Sequence, residues 1–192
     1  MIGLTGSIGM GKTETARLFA AEGIPVFDAD AAIHDLYAGE AAPLVEAAFP
    51  GSTQGGRVDR AALAAQVTGD PAALARLEAL MHPLAAGRRA DFLARNRNAP
   101  IVLLDIPLLL ETGTKVDAVV VASAPAHVQR ARVLARPGMS AEKFDALLAR
   151  QMSDAQKREQ AHYVVMTDKG LDHAREQVKM ILADIRKRLT DA

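Results

Sequence analysis

The chain has no cysteine among its 192 residues. That excludes a disulfide scaffold, a thiolate metal site and a cysteine nucleophile, and it fits an expected place in the reducing cytoplasm. Net charge is also missing, with 23 Lys and Arg against 23 Asp and Glu. Nothing general therefore draws the chain to nucleic acid or to an anionic membrane, and only local basic patches remain as attractors. No apolar run approaches the ~20 residues that a membrane helix needs. Glycine stands at position 3 and a glycine-rich motif begins at residue 6, so no signal peptide is expected ahead of the fold. There is no internal repeat and no low-complexity tail.

What the chain does have is an ordinary globular balance, 49% hydrophobic and 24% charged, enough for a real core in one α/β domain with small inserted lobes. Short apolar runs mark five strand candidates: IGLT (2–5), IPVFD (24–28), PIVLLDI (100–106), DAVVVAS (117–123) and HYVVM (162–166). Helical segments separate them. One is expected from about Lys12 to Glu22. Asp59 and Asp70-Pro71 read as capped helix starts. Leu74, Leu77, Leu80, Met81 and Leu84 recur at helical spacing, and Val178, Ile181, Leu182, Ile185 and Leu189 mark the apolar face of a last helix. Strands alternating with helices argue for a parallel sheet covered on both faces. Roughly 70 residues separate the second and third strand candidates, far more than a simple crossover needs. That stretch reads as an inserted helical lobe, and an arginine-rich second insert follows the fourth strand over about residues 125–160.

Chemistry begins with TGSIGMGKTE, residues 5–14. It fits G-x-x-x-x-G-K-[ST] through Gly6, Gly11, Lys12 and Thr13, between a strand and a helix as a phosphate loop requires. Glycines let consecutive N–H groups turn toward phosphate oxygens, and the following helix adds its N-terminal dipole. Lys12 can reach the β and γ phosphates, and the Thr13 hydroxyl can ligate Mg²⁺. A phosphate loop alone does not distinguish a kinase from a switch. A phosphotransferase also needs a group that orients the acceptor. FDADAAIHD (27–35) supplies Asp28 and Asp30 at the end of the second strand candidate, the edge where open α/β sheets bind ligands. Either acid could instead cap the next helix. His34, four residues after Asp30, could face the same cleft or be structural. Asp105 ends the third strand candidate, where a second acid near the metal is expected. Glu111 follows, as a substrate ligand or an end cap. Arg130, Arg132, Arg136 and Arg150 suggest a cationic lid over ATP, with Arg136 beside Pro137-Gly138 best placed, although surface arginines are commonly just solvated.

A rival class is the nucleotide switch, which TKVD (114–117) would favour as a guanine-reading motif. The apolar strand follows that motif instead of preceding it, and position 108 is leucine where a γ-phosphate sensor of the D-x-x-G type needs glycine.

Several motifs in sequence order resemble one family, dephospho-coenzyme A kinase. They are IGLTGSIGMGKT, GIPVFDADAAIH, GGRVDRAAL (55–63), LEALMHPL (77–84), DIPLLLE (105–111) and the run from Arg130 to Gln151. The resemblance implies a P-loop NTPase fold of the nucleoside-monophosphate-kinase type, a five-stranded parallel sheet flanked by helices, with helical substrate-binding and lid inserts. The implied division is a core over about 1–30, 99–124 and 161–192, a CoA-binding lobe over 31–98 and a lid over 125–160. The implied reaction moves the γ-phosphate of ATP to the ribose 3′-hydroxyl of dephospho-CoA, with Mg²⁺, in the final step of coenzyme A synthesis. By similarity Gly9, Met10, Gly11, Lys12, Thr13 and Glu14 hold ATP. Lys12, Asp30 and Arg136 are catalytic, and Thr13 and Asp105 serve the metal. Asp30, His34, Arg60, His82, Pro107 and Leu108 bind the acceptor. The partners implied are small molecules, with no nucleic acid and no membrane. Glu14 stands where the family usually carries a small hydroxyl residue, so its side chain is expected to point away from the phosphates. His162 and Thr167 depart from the family's late-strand pattern, in the part that concerns adenine.

Overall fold

The structure, a computed structural model, describes residues 1–191. In chain order the elements are β1 (Ile2–Thr5), α1 (Lys12–Ala21), β2 (Val26–Asp28), α2 (Ala29–Tyr37), α3 (Ala42–Ala48), β3 (Thr53–Gln54), β4 (Arg57–Val58), α4 (Arg60–Val67), α5 (Pro71–Arg95), β5 (Leu103–Asp105), β6 (Ala118–Ser123), α6 (Ala126–Leu134), α7 (Ala141–Leu148), α8 (Asp154–Glu159), β7 (Tyr163–Met166) and α9 (Leu171–Thr190).

Five strands form one parallel sheet in the order β2-β5-β1-β6-β7. In register Leu4 lies beside Asp105 and Thr5 beside Val121, while Ser123 pairs with Met166. Thr5, Asp105, Ser123 and Met166 therefore end their strands on one edge, the edge where open parallel sheets bind ligands. β1 is buried along its whole length, as expected of a central strand covered on both faces. Ile2, Leu4, Leu103, Val120 and Val165 pack with Phe19 of α1 and with Val178 and Leu182 of α9. No described helix is long and apolar enough to cross a membrane.

The chain divides into two compact units, residues 1–26 with 98–192, and residues 27–97. The second has its own core of Leu36, Val45, Phe49, Leu63, Leu77 and Met81. Its helices start where local chemistry sets them. Asp28 accepts from the Ala31 amide, Asp59 from Ala61 and Ala62, and Asp70 from Ala72 and Ala73. Pro71 fills the first position of α5, where its missing N–H costs nothing.

The strands are shorter than their apolar runs. Only 103–105 of PIVLLDI and 26–28 of IPVFD are strand; hydrophobicity extends past the ladder because flanking residues such as Ile101 and Val102 are buried as well. Asp30 lies in the first turn of α2 and does not end β2. Leu74 and Leu189 fall outside the buried faces expected for them and are exposed. A two-strand hairpin, β3 with β4, turns through Gly55 and Gly56, both at positive φ.

Beneath the ligand edge of the sheet lies a buried ion pair. Lys157 of α8 is fully buried, and its Nζ sits 2.8 Å from Glu111 Oε1. The same ammonium reaches Thr5 Oγ1 and the Pro107 carbonyl, each at 3.4 Å. Glu111 also accepts from the Met152 amide at 2.9 Å. Its role is thus to join the segment after β5 to the approach of α8, and the helix-cap alternative does not apply. Burial raises the Glu111 carboxyl pKa, but the Lys157 ammonium and the Met152 amide outweigh burial and leave it below the usual value of 4.5. A lowered folded value stabilises the protein above the unfolded value and is lost as pH falls through the folded one. Glu111→Gln leaves Lys157 buried without a counter-charge, a cost of about 3 kcal/mol. Thermal unfolding should show the variant clearly less stable than wild type at pH 7, with the gap narrowing as the pH drops below 4.5. A gap that stays constant with pH would contradict this account of the pair.

Candidate functional site

Residues 6–11 leave β1 at the carboxyl edge of the sheet. The Met10 amide donates to the Ser7 carbonyl at 3.1 Å and closes the turn. Gly9 and Gly11 have φ of 80° and 86°, a region side chains other than glycine rarely adopt. Space forbids a side chain as well. A Cβ on Gly6 would lie 2.7 Å from the Ala122 carbonyl oxygen, and one on Gly9 would lie 2.5 Å from Val133 Cγ2. On Gly11 it would meet the Thr167 side chain at 2.9–3.0 Å. Helix α1 starts immediately after Gly11 with no side-chain cap. Its first-turn N–H groups lack intrahelical partners, so the loop and the helix dipole together favour an anion.

Lys12 stands at the first position of that helix. Its Nζ lies 2.6 Å from Asp105 Oδ1, with the lysine side chain 14% and the carboxylate 3% exposed. The parallel register of β1 and β5 brings them together, since each follows or ends a neighbouring strand. An ammonium has three donors, so one bond to Asp105 leaves others for a phosphate. Thr13 is exposed in the same turn. The Glu14 carboxylate is taken by Arg17 one turn along the exposed face of α1, in keeping with a side chain that points away from the loop.

The loop's backbone is held from several sides. Arg132 donates to the Thr167 carbonyl at 2.6 Å, to Thr167 Oγ1 at 2.8 Å and to the Gly9 carbonyl at 3.4 Å. The Thr167 hydroxyl donates to the Met10 carbonyl at 2.9 Å. Met10 is itself buried, with its sulfur accepting from the Ala124 amide. Gln129, only 6% exposed, donates to the Ile8 carbonyl at 2.8 Å, and Gln151 accepts from the Ile8 amide at 3.2 Å. Ser7 donates to the Met152 carbonyl.

The arginines separate by role. Arg132 binds the loop and is not a free lid cation. Arg130 pairs with Asp145 at 3.2 Å and covers the Phe144 ring, joining α6 to α7. Arg136 and Arg150 are exposed and form no ion pair among the described residues. Arg136 precedes a turn at Gly138, whose φ is 73°. After β5 the chain presents Leu108 to solvent, while the Pro107 carbonyl is occupied by the Thr5 hydroxyl at 2.8 Å. His162 lies at the start of β7, away from the loop end; its Nδ1 accepts from the Val119 amide, an edge-of-ladder bond.

In the second unit, Asp30 and His34 are exposed one turn apart on α2, Arg60 is exposed at the start of α4, and His82 is exposed on α5. Asp28 is committed to capping. Burial raises the Tyr37 phenol, and nearby Arg60 partly offsets that rise. Sequence reasoning missed Gln129 and Lys157 as parts of the site, and it named Thr167 only for the adenine segment and not for its hold on the loop. Each acts through the backbone or through a buried partner distant in sequence. Only the family resemblance, which covers Gln151 at the lid's end, pointed near any of this.

The comparisons agree with one another. The Dephospho-CoA kinase family model matches residues 1–173. A dephospho-CoA kinase of Rhodopseudomonas palustris is 56% identical over 97% of this chain and 96% of its own length. A crystal structure of a Thermus thermophilus protein superposes with a TM-score of 0.85 at 36% identity, covering 95% of this chain and 96% of that one. A dephospho-CoA kinase structure from Campylobacter jejuni, at 21% identity, shares the fold with a TM-score of 0.66 over 96% of both chains. A glycine loop closed to side chains, a lysine bound to the acid of the neighbouring strand and a family match along most of the sequence lead to one conclusion: the chain belongs to the dephospho-CoA kinase family.

Proposed function

We propose that this protein transfers the γ-phosphoryl group of ATP to the ribose 3′-hydroxyl of dephospho-CoA, giving coenzyme A and ADP, in the cytoplasm. The observation that carries the reading is the Lys12–Asp105 pair at 2.6 Å beside a phosphate loop, in a chain of this family. Backbone N–H groups of Gly9 to Glu14 hold the ATP phosphates, and Lys12 turns spare donors to the β and γ oxygens. Thr13 and Asp105 supply hard oxygen ligands on this side of the site. No group of three His, Cys, Asp or Glu side chains suited to a metal exists among the described residues. That donor set fits Mg²⁺, which commonly takes one or two protein oxygens and completes its shell with phosphates and water. When bound, the ion would neutralise charge on the β and γ phosphates.

The 31–98 lobe is assigned to the acceptor, through Asp30, His34, Arg60 and His82, with Pro107 and Leu108 from the segment after β5. Asp30 orients the 3′-hydroxyl and takes its proton; its support is an exposed carboxylate free of the capping duty that occupies Asp28. The 125–160 segment is the lid, and Arg136 is its charge for the transferred group. A closed lid also excludes water, which is itself a phosphoryl acceptor.

Two measurements test the reading. An ADP-release assay across dephospho-CoA, nucleoside monophosphates, shikimate and gluconate should respond to dephospho-CoA above all others. Turnover on shikimate or gluconate alone would overturn the acceptor assignment. Asp30→Asn should keep ATP affinity and lose roughly 10²–10⁴-fold in kcat, the span of general-base contributions. If ATP affinity collapses while transfer survives, Asp30 belongs to the metal or to the scaffold.

A further inference from the structure

One residue of the phosphate loop has both of its backbone groups taken by side chains from outside the loop. The Ile8 amide donates to Gln151 Oε1 at 3.2 Å, and the Ile8 carbonyl accepts from Gln129 Nε2 at 2.8 Å. The two glutamines come from opposite ends of the arginine-bearing insert. Gln129 lies in α6 at its entry, and Gln151 follows α7 toward its exit. Neighbouring bonds follow the same division. Arg132, one turn after Gln129, holds the Gly9 carbonyl, and Ser7 holds Met152, the residue after Gln151. Between these two anchors the insert is joined mainly to itself, through Arg130 with Asp145 and Phe144.

A carboxamide buried to 6% exposure is costly unless it is hydrogen-bonded. Here the Gln129 amide nitrogen donates to the peptide carbonyl that precedes Gly9, the glycine whose φ of 80° shapes the cradle. We propose that Gln129 and Gln151 are positioning residues for the nucleoside triphosphate: together they hold both backbone groups of Ile8, fix the cradle in its anion-accepting shape, and couple the two roots of the insert to it. Order in the insert and occupation of the cradle then favour one another, because a coupling free energy acts in both directions. The proposal rests on the ATP reading above.

The test uses Gln129→Met, Gln151→Met and the double variant in the full chain. Methionine keeps the side-chain volume and removes the hydrogen bond. Each single variant should weaken ATP binding, measured by calorimetry without acceptor, by roughly tenfold, the worth of one such bond. The double variant should weaken it by little more than the stronger single, because both act through one residue, gripped on either side of its Cα. The KM for dephospho-CoA should stay within twofold. Unchanged ATP affinity in both singles, with only a lowered Tm, would reduce the glutamines to scaffold and overturn the proposal; so would fully multiplicative losses. If Gln129→Met does not fold, Gln151→Met alone decides by the same tenfold criterion. Calorimetry without acceptor also keeps this test separate from the acceptor assignment, which an ADP-release failure alone would strike.

Discussion

The feature on which the rest of this site depends is a loop in which side chains are forbidden. Gly9 and Gly11 sit at positive φ, and Gly6, Gly9 and Gly11 face neighbours that a Cβ would strike. Those neighbours are the backbone of β6, Val133 of α6 and Thr167 after β7. The loop is therefore squeezed between the strand ends and the base of the arginine-bearing insert, and the polar groups that its own turn does not use face an anion or the side chains that grip them. Lys12 and the uncapped first turn of α1 inherit their placement from this constraint.

Two lysine–carboxylate pairs stand at the same sheet edge and differ in what they permit. Asp105 and Glu111 both come from the segment DIPLLLE, one at the strand end and one six residues on. The Lys12 side chain is 14% exposed and can share its protons with an arriving phosphate. Lys157 is 0% exposed and is shared among Glu111, Thr5 and Pro107, which leaves it no such freedom. The first pair belongs to the chemistry, and the second holds the floor beneath it. Partner choice in each case follows from burial: a fully dry charge must be compensated within the fold.

Much of this was legible in the residues. The loop motif, the acid ending β5 and the caps at Asp59 and Asp70 are local signals, and local signals survive folding. Strand lengths were overestimated because buried residues such as Ile101 and Val102 continue the apolar run past the ladder. Of the two roles open to each acid, strand end or helix cap, Asp28 takes the cap and Asp30 falls in the first turn of α2, a division that the apolar pattern alone does not decide. Apart from Gln151 at the end of the family's lid run, the grip on the loop is not legible in the sequence. Gln129, Arg132 and Thr167 meet residues 8–10 from more than a hundred positions away, and a polar residue on a helix gives no sign that it is buried against a distant peptide. Thr167 departs from the family's adenine segment, and in the structure its hydroxyl and methyl form the wall against Gly11.

The central claim is that the shape of this loop, more than any single charge, makes the protein a binder of nucleoside triphosphate. Gly11→Ala tests it most directly, since it adds one methyl group where φ is 86° and the nearest side-chain atoms would be 2.9–3.0 Å away. Calorimetric titration of the folded variant with ATP should show affinity reduced by at least about tenfold, the effect of strain of 1–3 kcal/mol placed in the cradle itself. Wild-type ATP affinity in a folded Gly11→Ala protein would contradict the account.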